Sequence, residues 1–115
     1  VKKIEAVIKP HRLEEVREAL SQAGITRLTV TDVQGCGQQL GHKEVYRGVE
    51  YAVTLLRKVK IETIVNEEFV EKAIEIITKF ARSEGGGAIG DGKIFISPIS
   101  EVVRIRTGER GEMAV

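Results

Sequence analysis

Apolar and polar residues in the first half of the chain change from the period of a strand to that of a helix and back. Residues 3–8 are rich in apolar residues that suit a strand, and Pro10 ends that segment. Gly24 is placed to end the following helix as its C-cap, and a second strand is predicted near residues 25–33. The helix is predicted from apolar residues at three- and four-residue spacings, which are Leu13, Val16, Ala19 and Leu20.

The second half of the chain repeats this order of elements. Residues 60–65 begin with the same Lys-Ile-Glu sequence as residues 3–5 and again suit a strand. Asn66 is a preferred N-cap residue, and the two glutamates after it favour the positive end of a helix dipole. Strands are then predicted at 93–96 and 101–106. The predicted apolar face of the second helix consists of Phe69, Val70, Ala73, Ile77 and Phe80.

Two strand-helix-strand units predict one α+β domain of the ferredoxin-like type. Such units pair into a four-stranded antiparallel sheet with both helices on one face, in the order βαββαβ. A chain of 115 residues forms a single domain, so residues 1–115 are taken as one unit. The helices leave the other face of the sheet open, and we expect another subunit to cover that face if it is apolar.

Residues 37–56 fit neither period and are predicted to form a long loop between the second and third strands. A loop of about 20 residues is uncommon inside a compact domain and is usually functional or mobile. Both tyrosines of the chain, Tyr46 and Tyr51, fall within it. Because tyrosine gives a large contact area at low entropic cost, we interpret the segment as a mobile protein-contact loop. The alternative is a connection without function.

Composition excludes several classes of protein. The net charge of +1 provides no global attraction for nucleic acid or acidic membranes. No apolar run approaches the roughly 20 residues that a membrane span needs, and the N-terminal residues suit a strand rather than a signal peptide. The single cysteine, Cys36, excludes an internal disulfide framework. We therefore expect a cytoplasmic protein without nucleic-acid binding or direct membrane insertion.

A second glycine-rich loop, residues 83–92, ends next to a lysine. Gly90, Asp91 and Gly92 precede Lys93, and glycines allow backbone N–H groups to form a concave anion site to which the lysine adds a charge. A plain hairpin turn explains the same residues equally well.

Arg104 and Arg106 favour phosphate binding over a plain turn. On a strand these two side chains point to one face, where they either pair with carboxylates or hold a phosphate chain. A hairpin between the last two strands would bring Lys93 close to both. Three cations and a glycine turn suit a triphosphate, whereas a salt-bridged strand face is the alternative.

No set of residues is typical of catalysis. His11 and His42 have no partner at a metal-ligand spacing, and Cys36 has no neighbouring base. A lysine followed by Ser or Thr in a Walker motif is also lacking from the sequence. Binding without turnover is therefore the preferred interpretation.

Short segments distributed over nearly the whole chain match the pattern of one protein family, and they are 2–6, 8–10, 28–31, 41–42, 46–48, 50–51, 58–62, 89–95 and 104–109. The last two, 89–95 and 104–109, are together highly specific. In these segments the chain resembles the P-II nitrogen-regulatory signal proteins.

The resemblance implies a homotrimer of ferredoxin-like subunits with an ATP or ADP site in each cleft between neighbours. It places Thr29 and Ile64 at the adenine and Glu62 near the ribose. The loop base, at Gly37, Gln38 and Gln39, would also contact the nucleotide. The phosphates would be held by Gly90, Asp91, Gly92, Lys93, Arg104 and Arg106.

The resemblance also implies that ATP with Mg²⁺ creates a site for 2-oxoglutarate. Gln39 would help to hold the metal and the oxoacid, and Lys58 would pair with a carboxylate. Leu40 and Gly41 would complete that site. Ligand binding would then shift the shapes of the 37–56 loop and select partners.

The implied partners are an ammonium transporter or enzymes that control glutamine synthetase. Tyr51 matches the tyrosine that some members of the family carry in modified form.

Several residues depart from the family pattern. Cys36 stands where phenylalanine is usual, Gln38 where arginine is common and Leu40 where lysine is common. The stretch 83–88 is about three residues longer than usual and lacks a lysine, which predicts weaker nucleotide binding because extra glycines cost entropy to order. Three alternatives remain. One is a divergent sensor of ADP or AMP plus another small anion, and another is an RNA-binding module, for which the predicted strands offer only Phe95 as a stacking aromatic. The third is an enzyme of the small acyl- or nucleoside-phosphate class.

Overall fold

The computed structural model describes residues 1–38, 45–46, 49–50 and 53–115, with side chains at 1–36 and 55–115. Two short 3₁₀ helices, Pro10–Arg12 and Gly111–Ala114, accompany the main elements. The main elements are β1 (Lys2–Ile8), α1 (Leu13–Gln22), β2 (Thr29–Gln38), β3 (Val45–Tyr46), β4 (Val49–Glu50), β5 (Val53–Val65), α2 (Glu67–Ala81) and β6 (Gly92–Pro98).

The four long strands form one antiparallel sheet in the order β2-β5-β1-β6. Strands β5 and β1 lie at its centre, and α1 and α2 connect β1 to β2 and β5 to β6. This is the ferredoxin-like α+β arrangement, so the predicted fold class is confirmed. Within the described residues, strands β3 and β4 pair with each other and form no ladder with the four-stranded sheet.

The hydrophobic core lies between the sheet and the two helices. Alternate residues of β1, namely Ile4, Ala6 and Ile8, are buried on the helix side, as expected from the two-residue period of a strand. Leu20 of α1 and Ile77 of α2 are completely or almost completely buried against them. Burial of such aliphatic side chains contributes about 1.5–3 kcal/mol each, which holds both helices on this face.

The other face of the sheet carries a charged cluster at its centre. Lys3 and Lys60 lie 3.4 and 3.7 Å from the carboxylate of Glu62, and both lie 3.8 Å from that of Glu5. A hydrogen bond with Glu5, the largest cause, and one with Lys3 lower the pKa of Glu62 below its ordinary value. The centre of the open face is therefore polar and electrically balanced rather than apolar.

The ends of the two helices agree with the sequence only in part. Gly24 has φ +90° and its amide donates to the Ser21 carbonyl, while the Ile25 amide donates to that of Leu20, so the predicted C-terminal glycine is confirmed. Asn66 does occupy the N-cap of α2, but its side chain makes no capping hydrogen bond and its Oδ1 is buried without a partner among the described residues.

The buried face of α2 differs slightly from the predicted one. Val70, Ala73 and Ile77 are buried as expected, whereas Phe69 and Phe80 are only partly buried. Ile76 and Ala81 complete the buried stripe instead.

Strand β2 lies later in the sequence than predicted. It begins at Thr29, because residues 25–28 are used to leave α1 and to place the Arg27 carbonyl where the Thr63 hydroxyl donates to it at 2.8 Å. Its ladder with β5 continues to the pair Gln38↔Val53. Strand pairing therefore takes up both ends of the segment that the sequence assigns to a loop at 37–56.

The predicted strand at 101–106 is wrong. This segment makes one isolated bridge, Val103↔Arg110, and then reverses direction. The Arg104 amide donates to the Glu109 carbonyl at 2.9 Å, the Gly108 amide donates to that of Arg104 at 2.7 Å, and Gly108 has φ +72°. Glycine allows this positive φ, so a tight turn replaces the strand.

No helix in the described part of the chain is both long and apolar enough to cross a membrane.

Candidate functional site

A glycine-rich loop connects α2 to β6 and lies over a cavity of about 660 Å³. The floor of the cavity is apolar, and Arg82 and Lys93 are the cationic residues that line it. The loop, the apolar floor and the two cationic side chains thus meet at one end of the sheet. An anionic group of a ligand bound there would lie near these cations and near backbone amides of the loop. The lining residues are Ile8, Ile77, Thr78, Ala81, Arg82, Gly86, Gly87, Ala88, Ile89, Asp91, Gly92, Lys93 and Ile94.

The carboxylate of Asp91 is directed into the loop itself. It accepts hydrogen bonds from the amides of Ser83 and Ala88, at 2.9 and 2.8 Å, and from the Ser83 hydroxyl. Lys9 Nζ lies 3.1 Å from Asp91 Oδ1, the oxygen that accepts from the Ser83 hydroxyl, and it also donates to Ser83 Oγ at 3.0 Å. The hydrogen bonds from the Ser83 side chain and amide contribute most to lowering the pKa of Asp91 far below its ordinary value.

This lowered pKa predicts a specific loss of stability in acid. A carboxyl group whose pKa is lower in the folded state stabilises the fold above its unfolded pKa, here 3.8, and loses that contribution as the pH falls further. We expect the free energy of unfolding of the wild type to exceed that of Asp91→Asn above about pH 5 and the gap to narrow steadily below about pH 4. Urea titrations of both proteins between about pH 2.5 and 7 measure this difference in the free energy of unfolding. A difference that does not change with pH would contradict the expectation.

Gly92 begins β6 at a position where only glycine fits. Its φ is +110°, and a Cβ atom there would lie 1.8 Å from the carbonyl oxygen of Val7. Just before Lys93, the backbone of β6 thus approaches β1 too closely to leave room for a side chain. This close approach fixes the position of Lys93 relative to the loop.

Lys58 links β5 to the same loop. Its ammonium group donates to the Gly90 carbonyl at 2.5 Å, and Gly90 itself has φ +95°. The residue that the resemblance assigns to an oxoacid therefore contacts the glycine turn that the sequence assigns to phosphates. Of the residues predicted for the oxoacid, Lys58 thus lies next to the predicted phosphate turn.

The arginines are placed differently from the sequence prediction. Arg104 donates to the Glu109 carboxylate at 3.3 Å and to the Met113 carbonyl at 3.0 Å, while Arg106 lies exposed in the turn. Because residues 101–106 form no strand, the expected hairpin with Lys93 does not exist, and the argument that it brings Lys93 close to both arginines within one chain is wrong.

The residues predicted at the adenine and ribose form a second group. Thr29 lies opposite Glu62 in the β2–β5 ladder, and Ile64 follows Glu62 on the same face of β5. Ile64 also lines a smaller cavity of about 270 Å³ together with Arg27 and the C-terminal Val115. Since Arg104 binds the carbonyl of Met113, two residues before Val115, the turn that carries the arginines belongs to this second group.

The two groups lie at different positions along the sheet. On β5, Lys58 is four residues from Glu62 and six from Ile64, which corresponds to about 13 and 20 Å at the rise of a strand. The glycine turn and Lys93 lie near Lys58, at the end of β1 that holds Ile8. One chain therefore holds the glycine turn and Lys93 apart from the predicted adenine residues, whereas the turn that carries Arg104 and Arg106 lies with the latter.

Several predicted residues lie outside what the structure describes. The undescribed segments contain Gln39, Leu40, Gly41 and Tyr51. The prediction that the 37–56 loop is mobile also concerns residues outside those that the structure describes. Gly37 and Gln38 are described only as the last backbone positions of β2. The metal contact through Gln39 therefore stays a prediction. Among described residues, no three His, Cys, Asp or Glu side chains lie close enough together to hold a metal.

Sequence reasoning missed Lys9, Ser83 and Arg82. Lys9 and Ser83 are 74 positions apart, and no local pattern indicates that their side chains meet. Arg82 stands at the end of α2 and becomes recognisable only because it lines the larger cavity.

Comparison with known proteins shows the family to which the chain belongs. The family model described as "Nitrogen regulatory protein P-II" matches residues 1–109. Proteins named nitrogen regulatory protein P-II from Azospirillum brasilense, Mesorhizobium japonicum and Klebsiella oxytoca are 56%, 58% and 50% identical over 115 residues, and each alignment covers 100% of both chains. These relatives are named as regulatory proteins, which confirms the interpretation that the chain is not an enzyme. The chain belongs to the P-II family of nitrogen regulatory proteins.

Proposed function

We propose that this protein is a homotrimeric sensor that binds ATP or ADP, responds to 2-oxoglutarate and regulates nitrogen-assimilation targets by protein contacts. The observation that carries the proposal is the glycine turn beside the larger cavity, with Lys93 entering the sheet next to it and Lys58 bonded to Gly90. Backbone amides in a glycine turn and nearby lysines are the groups that bind phosphate oxygens.

The separation of the two groups supports a site shared between subunits. Lys58, which contacts the glycine turn predicted for the phosphates, lies about 13–20 Å along β5 from Glu62 and Ile64, the residues predicted for the ribose and the base. If the larger cavity of one subunit faces the Arg104 turn of its neighbour, the cations that one chain keeps apart converge on one nucleotide. A cyclic trimer provides three equivalent sites of this kind.

The open face of the sheet is suited to burial in such an assembly. Its central cluster contains two lysines and two glutamates at 3.4–3.8 Å, so no net charge has to be buried. Val7 and Phe95, which flank the cluster on the same face, add apolar surface, and Phe95 is half exposed in the single chain.

The contact between Lys58 and Gly90 supports the coupling of two ligands. A carboxylate that binds Lys58 lies next to the turn that holds the phosphates, so each ligand changes the surroundings of the other. Mg²⁺ bound to the phosphates, with Gln39 as its protein contact, would supply charge that attracts the oxoacid. Leu40 and Gly41 would complete that second site.

The segment 37–56 is proposed to report ligand binding to partner proteins, because its last residue, Leu56, lies two positions before Lys58 on β5. Its first residue, Gly37, pairs with Thr54 in the same β2–β5 ladder. Ligands at its base would alter how it meets an ammonium transporter or an enzyme that controls glutamine synthetase. Tyr51 is its proposed modification site, and the proposed location is the cytoplasm.

Calorimetry of the purified protein tests this function. We expect ATP with Mg²⁺ and 2-oxoglutarate to strengthen each other's binding, and ADP to bind without that enhancement. Sedimentation should report a mass of three chains of 12.7 kDa. Binding of ADP or AMP without any response to 2-oxoglutarate would instead favour a divergent sensor of another small anion. Indifference to adenine nucleotides at millimolar concentration would contradict the proposal.

A further inference from the structure

We infer that Lys9, Ser83 and Asp91 form a clasp that closes the glycine-rich loop before any ligand binds, with Asp91 as a positioning residue. We call this set the Asp91 clasp. The inference rests on the proposed function only in that the loop serves nucleotide binding. It concerns how the loop is held in the free protein.

The clasp joins the two ends of one loop to a residue that is distant in sequence. Lys9 follows β1, Ser83 follows α2, and Asp91 precedes β6. Asp91 accepts three hydrogen bonds from the loop and an ion pair from Lys9, and Lys9 binds the Ser83 hydroxyl as well. Since only 18% of the Asp91 side chain is exposed, solvent competes weakly for these donors.

The loop inside the clasp is intrinsically expensive to order. Gly85, Gly86 and Gly87 are consecutive, and all three have positive φ, at +82°, +94° and +102°. Glycine loses more conformational entropy on ordering than any other residue. Contacts that tie Ser83 and Ala88 to Asp91 shorten the free segment and reduce the entropy that a ligand must overcome.

The clasp also explains why an acidic residue is tolerated beside an anion site. The negative charge of Asp91 is paired with Lys9 and bonded to loop amides, so it does not cancel the attraction of Lys93 for an anion. Asp91 is one of the residues that line the cavity, but its two carboxylate oxygens are occupied by the Ser83 and Ala88 donors and by Lys9. The clasp thereby offsets the negative charge of Asp91 at the edge of the proposed anion site.

Amide hydrogen exchange in the ligand-free protein tests the clasp directly. In Asp91→Ala, exchange at the Ser83 and Ala88 amides should rise at least about tenfold, the change that loss of one charge-assisted hydrogen bond produces. Lys9→Met should raise it several-fold. Amides of buried α2 residues such as Ile77 report global unfolding and should change much less.

Matched variants separate the clasp from general effects. Ser83→Thr keeps the hydroxyl and should retain slow exchange, whereas Ser83→Ala should not. Lys72→Met removes a lysine whose pair with Glu75, at 3.9 Å, is exposed, and it should leave the loop amides unchanged. Equal exchange at Ser83 and Ala88 in wild type, Asp91→Ala and Lys9→Met would overturn the inference.

Titration with ATP distinguishes this inference from the proposed function. If wild type binds ATP, Lys9→Met should weaken binding about threefold to tenfold by restoring the entropy cost of the loop. If wild type does not bind ATP, the proposed function fails while the exchange rates still decide whether the clasp exists.

Discussion

Replacing Gly92 with alanine is expected to reduce the free energy of unfolding by about 3–5 kcal/mol. The added Cβ would lie 1.8 Å from the Val7 carbonyl oxygen, and φ +110° is unfavourable for any residue with a side chain. Rotation of a side chain relieves neither problem, because the Val7 oxygen belongs to the backbone and φ is a backbone angle. The strand must separate from β1 at the pair Ile8↔Gly92. Urea denaturation followed by circular dichroism measures the loss.

Gly85→Ala provides the matched control for this substitution. Gly85 lies in the same loop with φ +82°, but a Cβ atom added to it would have no other atom within 4 Å. Only conformational strain applies there, so a loss of about 1 kcal/mol is expected. If the two variants lose equal stability, the contact with Val7 does not constrain the turn.

Replacing Lys93 with methionine is expected to weaken ATP binding about 10- to 100-fold while leaving stability nearly unchanged. Lys93 lines the larger cavity, is exposed, and forms no ion pair or hydrogen bond with the described residues through its ammonium group. Replacing it with methionine therefore breaks no ion pair or hydrogen bond with the described part of the chain. A charge-assisted hydrogen bond to a phosphate contributes roughly 1.5–3 kcal/mol, which gives the expected change in affinity.

Calorimetry at fixed ionic strength measures this loss, with Lys72→Met as the control for a lysine removed from the surface. Lys93→Arg should retain most of the affinity, because it keeps the charge. An unchanged affinity in Lys93→Met would mean that the phosphates do not lie at the glycine turn, even if the wild type binds nucleotide. Arg82, the other cation that lines the cavity, would then be the next residue to replace.

The fold was predictable because its strongest signals are local. Periodicity identified β1, both helices and β6, since burial of every second or every third and fourth residue leaves a pattern in the sequence. Gly24 was also predictable, because a helix that ends in the left-handed region favours glycine. The order of these elements then limited the topology to few possibilities.

The errors occurred where tertiary contacts override local preference. Apolar residues at 102, 103 and 105 suggested a strand, but Gly108 reverses the chain and Arg104 binds the C-terminal segment instead. Asn66 has the right side chain for an N-cap, yet its oxygen accepts no hydrogen bond from the described residues. Such outcomes depend on distant segments and leave no periodic signal.

By itself, the sequence determined the fold class, the family resemblance and the glycine turn with its lysine, because each of these depends on residue type at short spacing. Only the tertiary structure decided that Asp91 is bonded within its own loop, that Lys58 reaches Gly90 and that the two groups of predicted ligand residues lie apart. The contacts of Asp91 with Ser83 and Lys9 join residues 8 and 82 positions apart, and the energy of a contact depends on distance in space, which spacing along the chain does not encode.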